Sequence, residues 1–234
     1  QWLHHRTLWK CKGTIMLKSP LRYPGGKAKA LDQILPLLPT DFCEFREPFV
    51  GGGSVSLALR QQYPERKFWI NDLNTELFHF WDRAQSESVS LVTECQRIRE
   101  DCEDGRLLFQ TLTQPPDNLT PLERAVRFFI LNRITFSGTV ESGGYSEKAY
   151  QARFTPSAIA RLASIAPLLQ GVQITNEDYE TVVNAPGSDV LLFLDPPYFS
   201  ATASRLYGKR GQLHLTFDHQ RFAEVMRHCP HRWL

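Results

Sequence analysis

The sequence predicts an α/β fold in which helices connect the strands of a parallel sheet. Short apolar segments alternate with segments of helical composition along the 234-residue chain, and this alternation implies right-handed crossovers. One apolar segment, 189–194, lacks the polar alternation of a half-exposed strand, so we expect it to be buried on both faces. Glycines or acids follow the expected strands, as in folds that bind ligands at the carboxyl edge of a sheet.

The expected strands can be placed in chain order from composition and from the residues that interrupt them. Three glycines, 51–53, end the first strand ahead of a helix over Ser54–Gln62, and a second helix begins at Asn74. The strands themselves are expected at 44–50, 67–72, 171–177 and 189–194.

The stretch between the second and third strands is too long for a single crossover. It is mainly helical in composition, with Thr120-Pro121 opening one helix and Gly143-Gly144 predicting a tight hairpin turn. We therefore expect an insertion on the carboxyl edge of the sheet. The predicted organisation is an upstream extension (1–15), a discontinuous core (16–84 and 155–234) and an inserted region (85–154).

Composition excludes some classes of protein and leaves others open. Hydrophobic residues make up 42% and charged residues 22%, as in ordinary globular proteins. No apolar run approaches the ~18 residues of a membrane span and no secretory signal is present, so a cytoplasmic protein without a membrane partner is expected. The five scattered cysteines predict neither a disulfide framework nor a metal site. The first 30 residues carry basic and no acidic side chains, which suits either phosphate contacts or a solvated surface.

The segment Asp195-Pro196-Pro197-Tyr198 directly follows the strand expected at 189–194. A carboxylate at the carboxyl end of a central strand points into the ligand crevice, and two successive prolines remove two amide donors. An exocyclic amine donating to the Asp195 carboxylate and the Pro196 carbonyl would have its lone pair localised for attack on a sulfonium methyl group. Tyr198 could then stack on a base flipped out of a duplex. The same tetrapeptide also fits an ordinary loop in which Tyr198 only packs.

A glycine-rich turn and a second acid indicate a nucleoside cofactor. Glycines 51–53 let the backbone approach a ligand closely, at a helix amino terminus that favours a carboxylate or phosphate. Asp72 ends the second strand about twenty residues later, where such an acid hydrogen-bonds ribose hydroxyls. Because the dinucleotide pattern Gly-x-Gly-x-x-Gly is absent, an adenosine cofactor with a small charged tail is the natural candidate. Gly25-Gly26-Lys27 is not a P-loop, since Ala28 follows the lysine and no strand precedes it.

Taken in order, the motifs resemble the Dam-like family of adenine-specific DNA methyltransferases. They are Tyr-Pro-Gly-Gly-Lys (23–27), Phe-Val-Gly-Gly-Gly (49–53), Asn-Asp (71–72) and Asp-Pro-Pro-Tyr (195–198), and the match runs from about Met16 to the last residue. The resemblance implies a Rossmann-like, S-adenosylmethionine-dependent methyltransferase core with an inserted, mainly helical target-recognition region. It also implies transfer of a methyl group to the N6 amino group of an adenine flipped out of double-stranded DNA.

The resemblance further assigns roles to individual positions. Residues 132–138 resemble the recognition region of the family, and the hairpin that follows is expected to touch DNA. The target base would be held by Asp195, Pro196 and Tyr198. Cofactor contacts are implied for Tyr23, Lys27, Gly51, Gly53, Asp72, Asp178 and Asp195. Contacts to DNA are expected from Arg133, Ser137, Thr139 and Ser142.

The family continues with further strands where this sequence stops, near the start of an expected fifth strand at 232–234. We therefore expect the C-terminal strands to be missing. A fragment that leaves an apolar sheet edge unpaired is expected to be poorly active or unstable.

Other functions remain open at the level of the sequence. An Asp-Pro-Pro-Tyr loop stabilises any planar exocyclic amine, so transfer to cytosine N4 in DNA or to adenine in RNA is the main alternative. A non-catalytic DNA-binding remnant is a second. A nicotinamide-dependent dehydrogenase ranks below both, because it gives the Pro-Pro loop no role. The DNA recognition sequence and the oligomeric state do not follow from the sequence.

Overall fold

A computed structural model describes residues 16–140, 143–198 and 217–234. Its centre is a five-stranded sheet with the order β3-β2-β1-β4-β5, in which every neighbouring pair of strands is parallel. The strands are β1 (Glu44–Glu47), β2 (Lys67–Asn71), β3 (Gln173–Thr175), β4 (Val190–Leu192) and β5 (Arg232–Trp233). The predicted Rossmann-like α/β fold is confirmed.

Helices precede, connect and follow these strands. In chain order they are α1 (Leu31–Ile34), α2 (Ser54–Gln62), α3 (Thr75–Ser86), α4 (Ser88–Asp101), α5 (Gly105–Thr113), α6 (Pro121–Ile134), α7 (Glu147–Arg153), α8 (Pro156–Leu169), α9 (Tyr179–Asn184) and α10 (His219–Arg227). Short 3-10 turns occur at Lys27–Lys29, Leu35–Leu37 and Phe136–Gly138. None of the helices in the described part of the chain is long and apolar enough to cross a membrane.

The strands lie where the sequence predicts them but are shorter at their ends. β1 ends at Glu47, and the next residue, Pro48, has no amide hydrogen with which to extend the ladder. β4 begins after Asp189, whose φ of 48° is left-handed and breaks the extended backbone. The expected start of a fifth strand is present, since the Leu234 amide donates to Leu192 and the Leu194 amide donates to Leu234.

Polar residues cap the helices at the predicted starts. The side chain of Asn74 accepts hydrogen bonds from the first amides of α3. Thr120 and Glu123 form a capping box at the start of α6, and Pro121 occupies its first turn, where no amide donor is lost. These caps satisfy amide groups that a helix cannot pair internally.

The largest hydrophobic cluster includes α3, α4, α6 and α8 together with the sheet. Phe80 of α3 stacks on Phe129 of α6 with the rings 9° from parallel, and Phe128 packs beside them. Most of α6 is therefore buried. Helices of the predicted inserted region share this core, and the division into a core and an inserted region stays a prediction.

The predicted hairpin near Gly143-Gly144 appears as one antiparallel bridge between Thr135 and Tyr145. The Phe136 amide donates to Gly144 and the Ser146 amide donates to Ile134. Residues 141 and 142 lie outside the described part of the chain. Segments 134–136 and 144–146 meet at the end of α6. Just beyond it, Ser137 adopts a left-handed conformation with φ 56°.

Candidate active site

A cavity of about 240 Å³ lies at the carboxyl edge of the sheet. Its walls come from the loops that follow β1, β2, β3 and β4, and from the loop that precedes the Lys27–Lys29 turn. Parallel strands end at one edge of a sheet, which is why residues distant in sequence meet there. All predicted cofactor residues line this cavity: Tyr23, Lys27, Gly51, Gly53, Asp72, Asp178 and Asp195.

The turn after β1 requires glycine at two positions. Gly51 has φ 45°, and a Cβ atom there would lie 2.8 Å from Cε1 of Tyr23. Gly53 has φ 65°, and a Cβ atom there would lie 2.8 Å from Cζ2 of Trp81. The indole of Trp81 also donates to the Gly51 carbonyl at 3.1 Å. Two aromatic rings thus pack against bare backbone, and α2 begins directly behind it.

Asp72, after β2, connects this turn to the sheet. Its Oδ2 accepts from the Gly51 amide and its Oδ1 from the Asn74 amide, both at 3.0 Å. Burial raises the pKa of Asp72 to about 6, although both amide hydrogen bonds oppose the shift. The side chain is therefore mainly a carboxylate at neutral pH. Each oxygen retains lone-pair capacity for a further donor.

Asp195 lies at the mouth of the cavity in a hydrogen-bonded cluster with Lys27 and Tyr198. The Lys27 ammonium donates to Asp195 Oδ2, to Tyr198 Oη at 2.7 Å and to the Gly25 carbonyl at 2.8 Å. The Tyr198 hydroxyl in turn donates to Asp195 Oδ1 at 3.1 Å. Burial opposes the charge of Lys27, but its hydrogen bonds to Asp195 and Tyr198 raise the pKa of the lysine overall.

The outer part of this cluster is open to solvent. Tyr198 is 53% exposed, and the cavity wall includes Pro197 but neither Pro196 nor Tyr198. The three predicted catalytic residues therefore lie at the rim, where a large substrate could approach from outside.

Sequence reasoning missed Glu47, a buried acid at the end of β1 that also lines the cavity. Its Oε2 accepts from the amide of Ser56 at 3.1 Å and from the Ser56 hydroxyl. Burial raises the pKa of Glu47 to about 8, and the nearby charge of Asp195 adds to the effect. The rule that singled out Asp72 and Asp195, an acid where a parallel strand ends, also applies to Glu47.

An aromatic wall and an ion pair on the far side of the cavity were also missed. The rings of Phe49, Tyr179 and Phe217 lie 5.4 to 5.8 Å apart between centroids. Arg221 of α10 donates to both carboxylate oxygens of Asp178, at 3.0 and 3.1 Å. Because Phe217 and Arg221 are far from the other motifs in sequence, no local pattern assigns them to the cavity.

The residues predicted to contact DNA are not equally accessible. Ser137 is exposed, and Thr139 is half-buried with its hydroxyl donating to Phe136 at 2.9 Å. Ser142 lies outside the described residues. Arg133 is only 4% exposed, because it lies on the buried end of α6. Its burial gives no support to the idea that it reaches a base edge from the surface.

Comparison with known proteins gives a family match over nearly the whole described chain. Residues 23–233 match the model of a family described as D12 class N6 adenine-specific DNA methyltransferase.

Individual relatives agree with the family match. The type II methyltransferase M.MjaIII of Methanocaldococcus jannaschii is 27% identical over 200 residues, which cover 78% of this chain and 69% of the relative. The type II methyltransferase M1.LlaDCHI of Lactococcus lactis is 28% identical, over 80% of this chain and 68% of the relative. The DNA N-6-adenine-methyltransferase of Escherichia phage P1 is 30% identical, over 77% of this chain but 24% of that longer protein.

Proposed function

Because the chain belongs to the D12 class of N6 adenine-specific DNA methyltransferases, we propose that its cavity binds S-adenosylmethionine and that Asp195 holds the target amino group at the mouth of that cavity. The observation that carries the proposal is the cluster of Asp195, Lys27 and Tyr198 at the rim. The acceptor oxygens of Asp195 and Tyr198 lie there between solvent and a cavity large enough for a nucleoside.

The side chains of the cavity fit S-adenosylmethionine. Asp72 retains acceptor capacity for ribose hydroxyls. The wall of Phe49, Tyr179 and Phe217 is apolar and aromatic, as a purine ring requires. The bare backbone at Gly51 and Gly53 and the amino terminus of α2 suit the methionine end. When bound, the cofactor would supply a methyl group activated by a sulfonium.

The loop that follows β4 is suited to activate an aromatic amine. The lone pair of adenine N6 is delocalised into the ring, so the amine is a weak nucleophile. Donation of its two N–H bonds to the Asp195 carboxylate and the Pro196 carbonyl would localise that lone pair on nitrogen. Asp195 would also be positioned to take the proton that the amine loses on methylation.

The Lys27 ammonium indicates how such a donor would be held. It donates to Asp195, Tyr198 and Gly25 at once, so the rim already accommodates a nitrogen with several N–H groups. An entering amine would replace part of this network. Lys27 could then turn toward the cofactor carboxylate, its predicted partner, while the exposed Tyr198 ring stacks on the flipped base.

The inserted region, 85–154, is proposed to recognise DNA, with 16–84 and 155–234 forming the catalytic core. The exposed residue Ser137, the nearby Thr139 and the predicted contact Ser142 are candidate contacts to the duplex. They follow α6, whose residue Asn132 contacts the loop that leads to Tyr23 and Lys27. Recognition and catalysis would therefore be physically connected.

The decisive experiment is methyl transfer from S-adenosylmethionine to unmethylated DNA, with modified nucleosides identified by mass spectrometry. We expect N6-methyladenine from the wild type and from the control Asp101→Asn, which changes an exposed acid of α4. Asp195→Asn should lose at least about a hundredfold in rate. Methylated cytosine would contradict the adenine assignment. No modified base from a folded, DNA-binding protein would indicate a non-catalytic remnant.

A further inference from the structure

Arg221, on α10, uses most of its hydrogen-bond donors on two acids. Its Nη1 and Nη2 donate to the two carboxylate oxygens of Asp178 at 3.1 and 3.0 Å. Its Nη2 and Nε donate to Oε2 of Glu180 at 2.6 and 3.2 Å. Because a guanidinium has five N–H bonds, one N–H bond of Nη1 remains without an acceptor among the described residues.

Asp178 has acceptor capacity beside that donor. Its Oδ1 accepts from Arg221 and, as the cap of α9, from the Glu180 amide at 2.9 Å. Its Oδ2 accepts from Nη1 of Arg221 alone, as far as the described part of the chain shows. A carboxylate oxygen has two lone pairs, so Oδ2 can take one more donor. A free donor on Nη1 and a free acceptor on Oδ2 therefore lie side by side, with 3.1 Å between the two atoms.

This donor–acceptor pair borders the aromatic wall of the cavity. Asp178 and Arg221 both line the cavity, and the guanidinium carbon lies 5.3 Å from the centroid of the Tyr179 ring. Asp178 and Arg221 are 39% and 46% exposed, so their ion pair contributes little to folding stability. A flat heterocycle stacked on the wall of Phe49, Tyr179 and Phe217 would have its polar edge next to the pair.

The backbone that carries Asp178 is anchored to the end of β2. The Asn71 side chain donates to the Glu177 carbonyl at 2.9 Å and accepts from the Glu177 amide at 2.8 Å. The Asn176 side chain donates to the Asp72 carbonyl at 2.8 Å. The loop after β3 is therefore held at a fixed position relative to Asp72, the proposed ribose contact, and Asp178 is preorganised for a ligand.

We propose that Asp178 and Arg221 together recognise the amino edge of the adenine ring of the cofactor. Asp178 Oδ2 accepts from the 6-amino group, and Arg221 Nη1 donates to the ring nitrogen beside that group. The proposal rests on the proposed function, because S-adenosylmethionine is the ligand that brings an adenine into this cavity. An acceptor next to a donor is also the arrangement with which a single asparagine or glutamine amide binds adenine.

The same pair rejects a purine with a different edge. The hydrogen bonds to Asp178 and Glu180 raise the pKa of Arg221 above its ordinary value, so its guanidinium stays charged and only donates. A purine with an oxygen at position 6 would place an acceptor against the Asp178 carboxylate, which leaves both oxygens without a donor. A site built to bind an N–H group discriminates strongly against an analogue that lacks it.

The first test measures the affinity of the wild type, by isothermal titration calorimetry, for S-adenosylhomocysteine and three analogues of it. In S-inosylhomocysteine an oxygen replaces the 6-amino group. In the 1-deaza and 7-deaza analogues a C–H group replaces one of the two ring nitrogens that flank the amino-bearing carbon's edges. We expect S-inosylhomocysteine and one deaza analogue to bind at least about tenfold more weakly than S-adenosylhomocysteine. Full affinity of both deaza analogues would overturn the proposal.

The second test separates a binding role of Arg221 from a structural one. Arg221→Met removes every donor but keeps an unbranched chain of similar length. It should bind S-adenosylhomocysteine about tenfold more weakly than the wild type, and it should no longer distinguish it from the deaza analogue that the wild type rejects. The control Arg227→Gln changes an exposed arginine of the same helix, paired with Glu224, and should retain the wild-type affinities. If Arg221→Met binds all ligands more weakly by one common factor, Arg221 is a structural residue and the proposal is wrong.

The wild-type comparison needs no variant, so it decides the proposal even if Arg221→Met does not fold. Methyl transfer is measured separately. A wild type that prefers S-adenosylhomocysteine over the analogues but methylates no DNA would refute the proposed function and leave adenine recognition standing. A wild type that methylates adenine but binds both deaza analogues at full affinity would refute adenine recognition by the pair and leave the proposed function standing.

Discussion

Glu47→Gln is expected to remove a pH dependence of stability that the wild type has between about pH 6.5 and 8.5. Glu47 is buried, and its pKa is raised from 4.5 to about 8 in the folded chain. The folded state therefore binds a proton that the unfolded state has already released. The free energy of unfolding does not change with pH below 4.5, which is the pKa of Glu47 in the unfolded chain. It falls as the pH rises from 4.5 toward 8 and levels off above the folded-state pKa.

The size of the effect follows from the pKa difference. A shift of about 3.5 units, at 1.36 kcal/mol per unit, gives about 5 kcal/mol as an upper bound for the full range. The part that falls between pH 6.5 and 8.5 is about 2 kcal/mol. Asp72, with a pKa of about 6, contributes mainly below this window. Measurement above pH 6.5 therefore isolates Glu47 from Asp72.

The free energy of unfolding should be measured by denaturant titration at half-unit steps of pH. Glutamine keeps an oxygen that can accept from the Ser56 amide and hydroxyl, and it has no proton to lose. In Glu47→Gln the free energy of unfolding should no longer fall between pH 6.5 and 8.5. The control Glu65→Gln changes a largely exposed acid and should show the same fall as the wild type. If the wild type and Glu47→Gln decline in parallel, Glu47 does not carry a raised pKa and the reasoning is refuted.

Three further predictions concern the glycine turn after β1 and two residues that follow β2. Gly53 and Gly171 both have positive φ, but only at Gly53 would an added Cβ atom clash with Trp81. Gly53→Ala should therefore lower the Tm clearly more than Gly171→Ala does. Equal shifts in Tm would contradict the close packing of Gly53 on Trp81. Asn74→Ala should destabilise the protein by about 1 kcal/mol through loss of the α3 cap, and an unchanged midpoint in urea would show that the cap contributes nothing. Asp72→Asn should weaken S-adenosylmethionine binding at least tenfold by calorimetry but leave DNA affinity intact, and loss of both would indicate misfolding instead.

The strands and caps were predictable because each depends on a few neighbouring residues. A buried run such as 190–192 requires a central position in a parallel sheet, and Thr120 with Glu123 defines a helix start by itself. Acids at strand ends could be assigned to the cavity because topology brings those ends together. Phe217 and Arg221 could not be assigned, because their position depends on how α10 packs against α9, which no local motif encodes.

Arg133 shows the limit of motif reasoning most clearly. Its place in a segment resembling a recognition region predicted contact with DNA, but burial along α6 is decided by how Phe128, Phe129 and their neighbours pack. The sequence does not reveal that Arg133 is buried, with an Nε that has no hydrogen-bond partner among the described residues.

Lys27, at the rim of the cavity, illustrates the same limit of motif reasoning. The sequence places a lysine beside glycines and suggests the cofactor carboxylate as its partner, but the structure pairs it with Asp195, 168 positions away. Asp195 and the cofactor carboxylate are both anionic, and the single Lys27 ammonium cannot pair fully with both at once. The base and the cofactor would therefore be coupled through Lys27: an amine that takes over Asp195 frees the lysine for the cofactor. If so, Lys27→Met should abolish any increase in S-adenosylmethionine affinity that DNA produces in the wild type, and a retained increase would place the coupling elsewhere.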